Sequence, residues 1–257
     1  MVKSELVFSD TKSYGEYTIN PYDLYALEVA LRQKDYNPET KIIVISMGGK
    51  ATRDALSRCY AMGVDEVIWL CDNWFAGSDT IATTKVLAKA IQTIGSVELV
   101  ICGEKAVDGE TGQVPVGLAE RLGFPVVLGV EDLIEFNHES ARIMASNDKE
   151  TTEMKLTVPA VCVFHSFLTE SKRVTLFSIR KSRESSITHW DAQKIGISQS
   201  ECGLAGSKTK VVDIVLEHVQ KNGVVIEGTI KEKVECIQTL LLREGHYDTE
   251  EMHLDCL

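Results

Sequence analysis

Residues 102–115 read Cys102-Gly-Glu-Lys-Ala-Val-Asp-Gly-Glu-Thr-Gly-Gln-Val-Pro115 and follow the apolar run Val97-Glu-Leu-Val-Ile101. An apolar strand, a glycine-rich polar loop and the start of an amphipathic segment, in that order, form a strand-to-helix junction. Gly103, Gly109 and Gly112 leave backbone N–H groups bare, and a helix N-terminus adds the positive end of its dipole. That chemistry suits a phosphate or a carboxylate. The same residue types also build a purely structural turn with a helix cap, so the loop alone leaves both readings open.

Upstream, residues 41–47 are β-rich and end in Gly48-Gly49, after which Ala51, Ala55, Leu56 and Cys59 recur at helical spacing until Met62-Gly63 stops them. Residues 66–71 form a second strand. Ser78 or Asp79 caps a helix whose apolar face carries Ile81, Leu87, Ala90, Ile91 and Ile94, with Gly95 as its stop. Residues 97–101 are the third strand. Thr111 is placed to cap the following helix, Pro115 sits in its first turn, and Gly123 ends it before a strand at 126–130. Asn20-Pro-Tyr-Asp23 opens a further helix with the stripe Leu24, Leu27, Leu31.

Strands alternating with helices predict a doubly wound, mostly parallel α/β sheet, Rossmann-like, whose ligands bind beyond the carboxyl ends of the strands. The loops at Gly48, 75–79 and 103–112 all fall on that edge. From 133 to 156 the pattern changes to polar strand-length pieces around Asn137-His138 and Asn147-Asp148, a β-hairpin, and 159–164 is another buried strand. Residues 171–186 read as an exposed basic loop or irregular helix. A glycine-rich connection at 203–206, an apolar strand at 211–216, and a helix near 229–243 carrying Val234, Ile237, Leu240 and Leu241 close the chain.

With 257 residues and 44% hydrophobic content, the chain can bury one sizeable core. A net charge of −11 argues against a nucleic-acid binder, which needs a basic face. Seven cysteines without a C-x-x-C pair, no signal peptide and no apolar run of spanning length predict a reduced, cytoplasmic protein without a membrane span. Walker A and G-x-G-x-x-G fingerprints are both missing. The six histidines are isolated, so no metal site is expected, and no G-x-S-x-G elbow or catalytic triad can be assembled. Residue chemistry by itself stops at a nucleotide-binding α/β protein.

Five further segments join the 102–115 loop in resembling, in order, the β subunit of the electron transfer flavoproteins. They are Ile19-Asn-Pro-Tyr-Asp-Leu-Tyr-Ala26, Val44-Ile-Ser-Met-Gly48, Ala61-Met-Gly-Val-Asp65, Phe75-Ala-Gly-Ser-Asp-Thr-Ile-Ala-Thr83 and Gly203-Leu-Ala-Gly-Ser207. The resemblance implies an electron-carrier subunit rather than a stand-alone enzyme. Its implied partner is an α subunit that shares an FAD with it, and the β subunit holds a nucleotide of its own, AMP in simple carriers and a second FAD in bifurcating members. The form Asp108-Gly-Glu-Thr-Gly-Gln-Val114 resembles the bifurcating and nitrogen-fixation-associated group, which favours FAD. The runner-up expectation is a regulatory nucleotide-binding protein of related fold without electron transfer.

By the same resemblance, Asn20, Pro21, Tyr22, Asp23 and Met47 would border the adenosine. Phe75, Gly77, Ser78, Asp79 and Thr80 would border the extended nucleotide, and Asp108, Gly109, Thr111, Gly112, Gln113 and Val114 would hold ribose and phosphate. No catalytic acid or base is implied. A partner-docking segment would start at Leu168, with Leu176, Ile179, Arg180, Lys181 and Arg183 keeping an apolar-then-basic character, although Ser171, Val174 and Phe177 stand where prolines are usual. Its implied partner is an acyl-CoA dehydrogenase or similar flavoenzyme. Residues 1–190 would form the nucleotide-binding domain, and 191–257 an arm and helix contacting the α subunit. Family members begin with a strand and a loop that this sequence lacks or shortens. Residues 5–8 are the sole strand-like run before Asn20, either a truncated first strand or part of the later hairpin arm.

Overall fold

The computed structural model describes residues 4–7, 16–107, 109–147, 149–168, 174–182, 185–210, 212 and 225–243. The chain divides into two compact units, Met1–Val212 and Asp213–Leu257. In the first, β1 (Ser4–Val7) and β2 (Glu16–Ile19) form an antiparallel pair. Helix α1 (Pro21–Tyr36) leads to β3 (Ile43–Met47), α2 (Thr52–Met62), β4 (Glu66–Leu70), α3 (Thr80–Ile94), β5 (Leu99–Gly103) and α4 (Gln113–Leu122). The meander β6 (Val126–Phe136), β7 (Ser140–Ser146), β8 (Thr151–Thr157) follows, then β9 (Ala160–Phe164), α5 (Leu176–Ser182), β10 (Thr188–Trp190) and the short α6 (Gly203–Gly206). In the second unit the described element is α7 (Ile230–Arg243).

Period-3.6 patterning buries Leu24, Leu27 and Leu31 of α1 together with Val44 of β3 and Leu56 of α2. The opposite side of the sheet packs Ile45, Val86, Ile91, Val100 and Leu118. Strand β9 is buried at all five positions, as a strand covered on both faces must be. Left-handed glycines end two helices as the sequence predicts: Gly63 after α2 and Gly123 after α4.

The α/β architecture agrees with the sequence reading, but the hairpin expected over 133–156 is part of a three-stranded meander whose first strand runs on from 126, and the parallel strands do not form one continuous sheet. Strand order is β10-β4-β3 in one sheet and β5-β9-β6-β7-β8 in another. Strand β10, which matches none of the strands expected from the sequence, pairs in parallel with β4. Residues 4–7 belong neither to the parallel sheet nor to the 133–156 hairpin; they pair with 16–19. The glycine-rich connection at 203–206 is one helical turn. The predicted strand at 211–216 lies outside the described residues except for Val212. No helix among the described residues is long and apolar enough to cross a membrane.

Candidate functional site

The carboxyl ends of β5 and β9 meet at Glu104, whose N–H donates to the Phe164 carbonyl, and Asp23 of α1 reaches Gly103 there; the quoted loop runs on from this point to the start of α4. Asn20 is the N-cap residue of α1, yet its side chain does not cap that helix. It is 1% exposed, and its amide donates to the Lys105 carbonyl and to Asp23 Oδ2, both at 2.9 Å, while its Oδ1 accepts from the Val107 N–H at 3.3 Å. Asp23, also buried, accepts the Gly103 N–H through Oδ1 at 2.8 Å. Pro21 at the first helical position brings both side chains to the end of β5. Any Cβ on Gly103 would lie 2.6 Å from the Asp23 backbone nitrogen and from Tyr22 Cβ, so glycine is required for this approach. Asn20 and Asp23 therefore hold the loop rather than standing beside it.

Asp23, Lys105, Gly109, Thr111, Gly112 and Val114 line a small recess of about 20 Å³. Helix α4 starts at Gly112 with a left-handed φ of 61°, and among the described residues no side chain caps it. The expectation that Thr111 caps α4 is thus corrected: Gly112 is the N-cap residue, and the Thr111 hydroxyl accepts from the Gln113 N–H at 3.5 Å, a weak contact. The start of α2, after Gly48-Gly49-Lys50, also has no side-chain cap. Helix α3 contrasts with both. Asp79 caps it through Ala82 N and also accepts the N–H groups of Lys208 and Thr209. Burial raises the Asp79 carboxyl, but those hydrogen bonds outweigh it and hold the group at about 2.

The structure draws several predicted positions together. Met47, Phe75 and Val114 pack into one apolar cluster, and the Thr80 hydroxyl donates to Gln113 Oε1 at 2.8 Å, linking α3 to α4. Ser78 and Gly77 are engaged by the 203–207 segment: Ser78 Oγ accepts the Gly203 N–H, and Ser207 Oγ donates to the Gly77 carbonyl. Asp108 lies outside the described residues. Lys105, unassigned in the sequence reading although it sits inside the quoted loop, places its ammonium 5.9 Å from the Tyr22 ring centroid and 3.8 Å from Glu110. It supplies the site's positive side chain.

The predicted docking segment divides in two. Leu168 is not a free surface group: its N–H donates to the Pro21 carbonyl at 3.1 Å and its side chain packs against the α1–β3 cluster. Leu176 and Phe177 on α5 are 88% and 78% exposed, and Ile179 and Arg180 share the helix with them. Arg183, Ser171 and the Lys181 side chain lie outside the described residues. Cys102 and Cys162, on neighbouring strands, are pushed by burial to about 11 and about 12, so they stay protonated and act as packing groups.

Residues 11–193 match the family described as electron transfer flavoprotein domain. Among curated proteins, the chain is 37% identical over 229 residues to subunit CarD of the caffeyl-CoA reductase-Etf complex of Acetobacterium woodii, covering 89% of this chain and 87% of that protein. It is 33% identical over 229 residues, with the same coverages, to the electron transfer flavoprotein subunit beta of Clostridium acetobutylicum. Protein FixA of Azorhizobium caulinodans is 32% identical over 200 residues, 75% of this chain and 71% of that protein.

Proposed function

We propose, for a chain that belongs to the electron transfer flavoprotein β-subunit family, that it holds an adenine nucleotide at the 103–114 loop and passes electrons as one half of a heterodimer with an α subunit. The observation that carries this is the uncapped start of α4, delivered by a glycine loop that Asn20 and Asp23 hold against β5. Bare N–H donors at a helix start suit a phosphate, and the residues present fit one. Gly112, Gln113 and Val114 would hold phosphate and ribose, with Met47 and Tyr22 beside the adenosine. A bound flavin supplies the electron-carrying chemistry, and the protein supplies orientation, electrostatics and exclusion of water. We assign FAD in preference to AMP to this site from the Asp108-Gly-Glu-Thr-Gly-Gln form of the loop.

Exposed Leu176 and Phe177, followed by Arg180, Lys181 and Arg183, support docking of α5 on a flavoenzyme such as an acyl-CoA dehydrogenase. Removing those three charges is expected to slow partner reduction at low salt and to flatten its salt dependence. The deciding experiment is co-expression with a candidate α subunit. A yellow, stoichiometric complex that releases FAD on denaturation supports the proposal; a colourless monomer releasing only AMP or ATP refutes electron transfer. In the complex, Gly112→Asp adds a carboxylate at the phosphate position and is expected to weaken nucleotide binding roughly tenfold or more. Unchanged affinity would remove the loop from the site.

A further inference from the structure

Residues 165–167, which follow β9, run beside the small recess between two backbone anchors. At one end the Phe164 carbonyl accepts the Glu104 N–H at 2.8 Å, and at the other the Leu168 N–H donates to the Pro21 carbonyl at 3.1 Å. Glu104 lines the recess, and Pro21 opens the helix whose Asp23 lines it too. The three residues are therefore tied both to the end of β5 and to the start of α1, and their backbone is fixed in advance of any ligand.

Phe167 is 61% exposed, but it does not stand alone. Its ring centroid lies 5.8 Å from that of Tyr22 at an interplanar angle of 56°, the tilted arrangement that aromatic pairs favour. Lys105, on the recess wall, holds its ammonium 5.9 Å from the centroid of the same Tyr22 ring. A cation and two aromatic rings thus stand together at the recess, with most of the Phe167 ring open. His165 adds a polar atom. Along β9, Val161 and Val163 pack in the cluster that holds Val114 and Leu118 of α4, whereas Cys162 and Phe164 pack with Ala26 and Val29 of α1. Carried one residue further, the alternation sets His165 on the α4 side. Its Nδ1 is buried and has no hydrogen-bond partner among the described residues, a state that few buried nitrogens keep.

We infer that residues 165–167 are a wall of the nucleotide site, with Phe167 stacking on a planar heteroaromatic ring of the ligand and His165 Nδ1 hydrogen-bonding a polar atom of the same ligand. The inference rests on the nucleotide reading of the 103–114 loop and adds a ring-binding surface to it. An aromatic face and a convergent polar atom divide the work of holding a flat ring: the first supplies contact area, the second fixes orientation. A hydrogen bond to the ligand also satisfies the nitrogen that the protein itself leaves bare. The stacked ring is adenine or, in FAD, isoalloxazine. Both offer the same π-face to Phe167, and comparison of AMP with FAD separates them.

Calorimetric titration of the full chain with AMP and with FAD tests the wall. Phe167→Ala should weaken binding roughly 5- to 100-fold, and Phe167→Trp should restore it, the added indole fluorescence being quenched as the site fills. Equal losses for AMP and FAD make adenine the stacked ring; a loss confined to FAD makes it isoalloxazine. His165→Leu removes the bare nitrogen and keeps an apolar side chain in its place. It should leave the Tm of the nucleotide-free chain unchanged or higher while weakening the nucleotide roughly 2- to 10-fold, a split that a merely structural histidine would not produce. Wild-type affinity in either Phe167→Ala or His165→Leu would overturn the inference. If Gly112→Asp is impaired in the same assay, the phosphate loop stands without this wall. A wild-type chain that binds neither nucleotide, alone or with its α subunit, rejects both readings. Weaker α-subunit association in Phe167→Ala with nucleotide affinity intact would assign Phe167 to the subunit interface and equally reject the inference.

Discussion

Replacing Asn20 with alanine removes three hydrogen bonds at one buried point: the donations to the Lys105 carbonyl and to Asp23 Oδ2, both 2.9 Å, and the acceptance of the Val107 N–H at 3.3 Å. A bond to a carboxylate is worth about 1.5–3 kcal/mol and a neutral one about 0.5–1.5, with a further penalty for each backbone group left dry. Allowing the loop to relax toward water, the loss is roughly 2–4 kcal/mol, or about 5–15 °C in Tm for a unit of this size. Asn20→Asp discriminates the cause. It keeps an acceptor for Val107 but replaces the amide donor with a carboxylate against Asp23, and it should destabilise more than alanine. Ser46→Ala is the control, because Ser46 is equally buried and its hydroxyl has no hydrogen-bond partner among the described residues. That change should be neutral or stabilising. Urea unfolding of the full chain measures all three variants, and nucleotide titration of the α-subunit complex should show at least a tenfold weaker affinity for Asn20→Ala. A Tm within about 2 °C of wild type, with affinity retained, would refute the view that Asn20 holds the loop.

Gly203→Ala should cost roughly 3 kcal/mol or more, because φ is +56° and the new Cβ would fall 2.0 Å from the Trp74 carbonyl oxygen; a thermal melt matching wild type would contradict this. Asp79 titrates at about 2 against an ordinary 3.8, so its clasp on residues 208–209 stabilises the fold above about pH 4 and is lost as pH falls through about 2. Asp79→Asn should shrink the stability difference between pH 5 and pH 2 seen in urea titrations. Cys59, Cys102 and Cys162 are buried and held at about 12, 11 and 12, whereas Cys236 is exposed. Under native conditions a thiol reagent should label Cys236 rapidly and these three only after denaturation.

The sequence alone determined the order and type of the main elements, because hydrophobic periodicity reports which local face is buried and glycine marks the left-handed helix stops at Gly63 and Gly123. It also located the anion-suited loop, since bare N–H groups at a strand-to-helix junction follow from residue types in register. Tertiary structure decided what those groups touch. Nothing local distinguishes Asn20 as a helix cap from Asn20 as a clasp on Lys105 and Val107, 85 and 87 residues away. Asp79 is similar: its capping of α3 is legible at short range, and its hold on 208–209 is not. Strand pairing behaves in the same way. Residues 188–190 join β4, and β3 and β5 belong to different sheets. Backbone edges carry no side-chain signature of their partners, so which edge is satisfied is fixed only when distant segments are brought together.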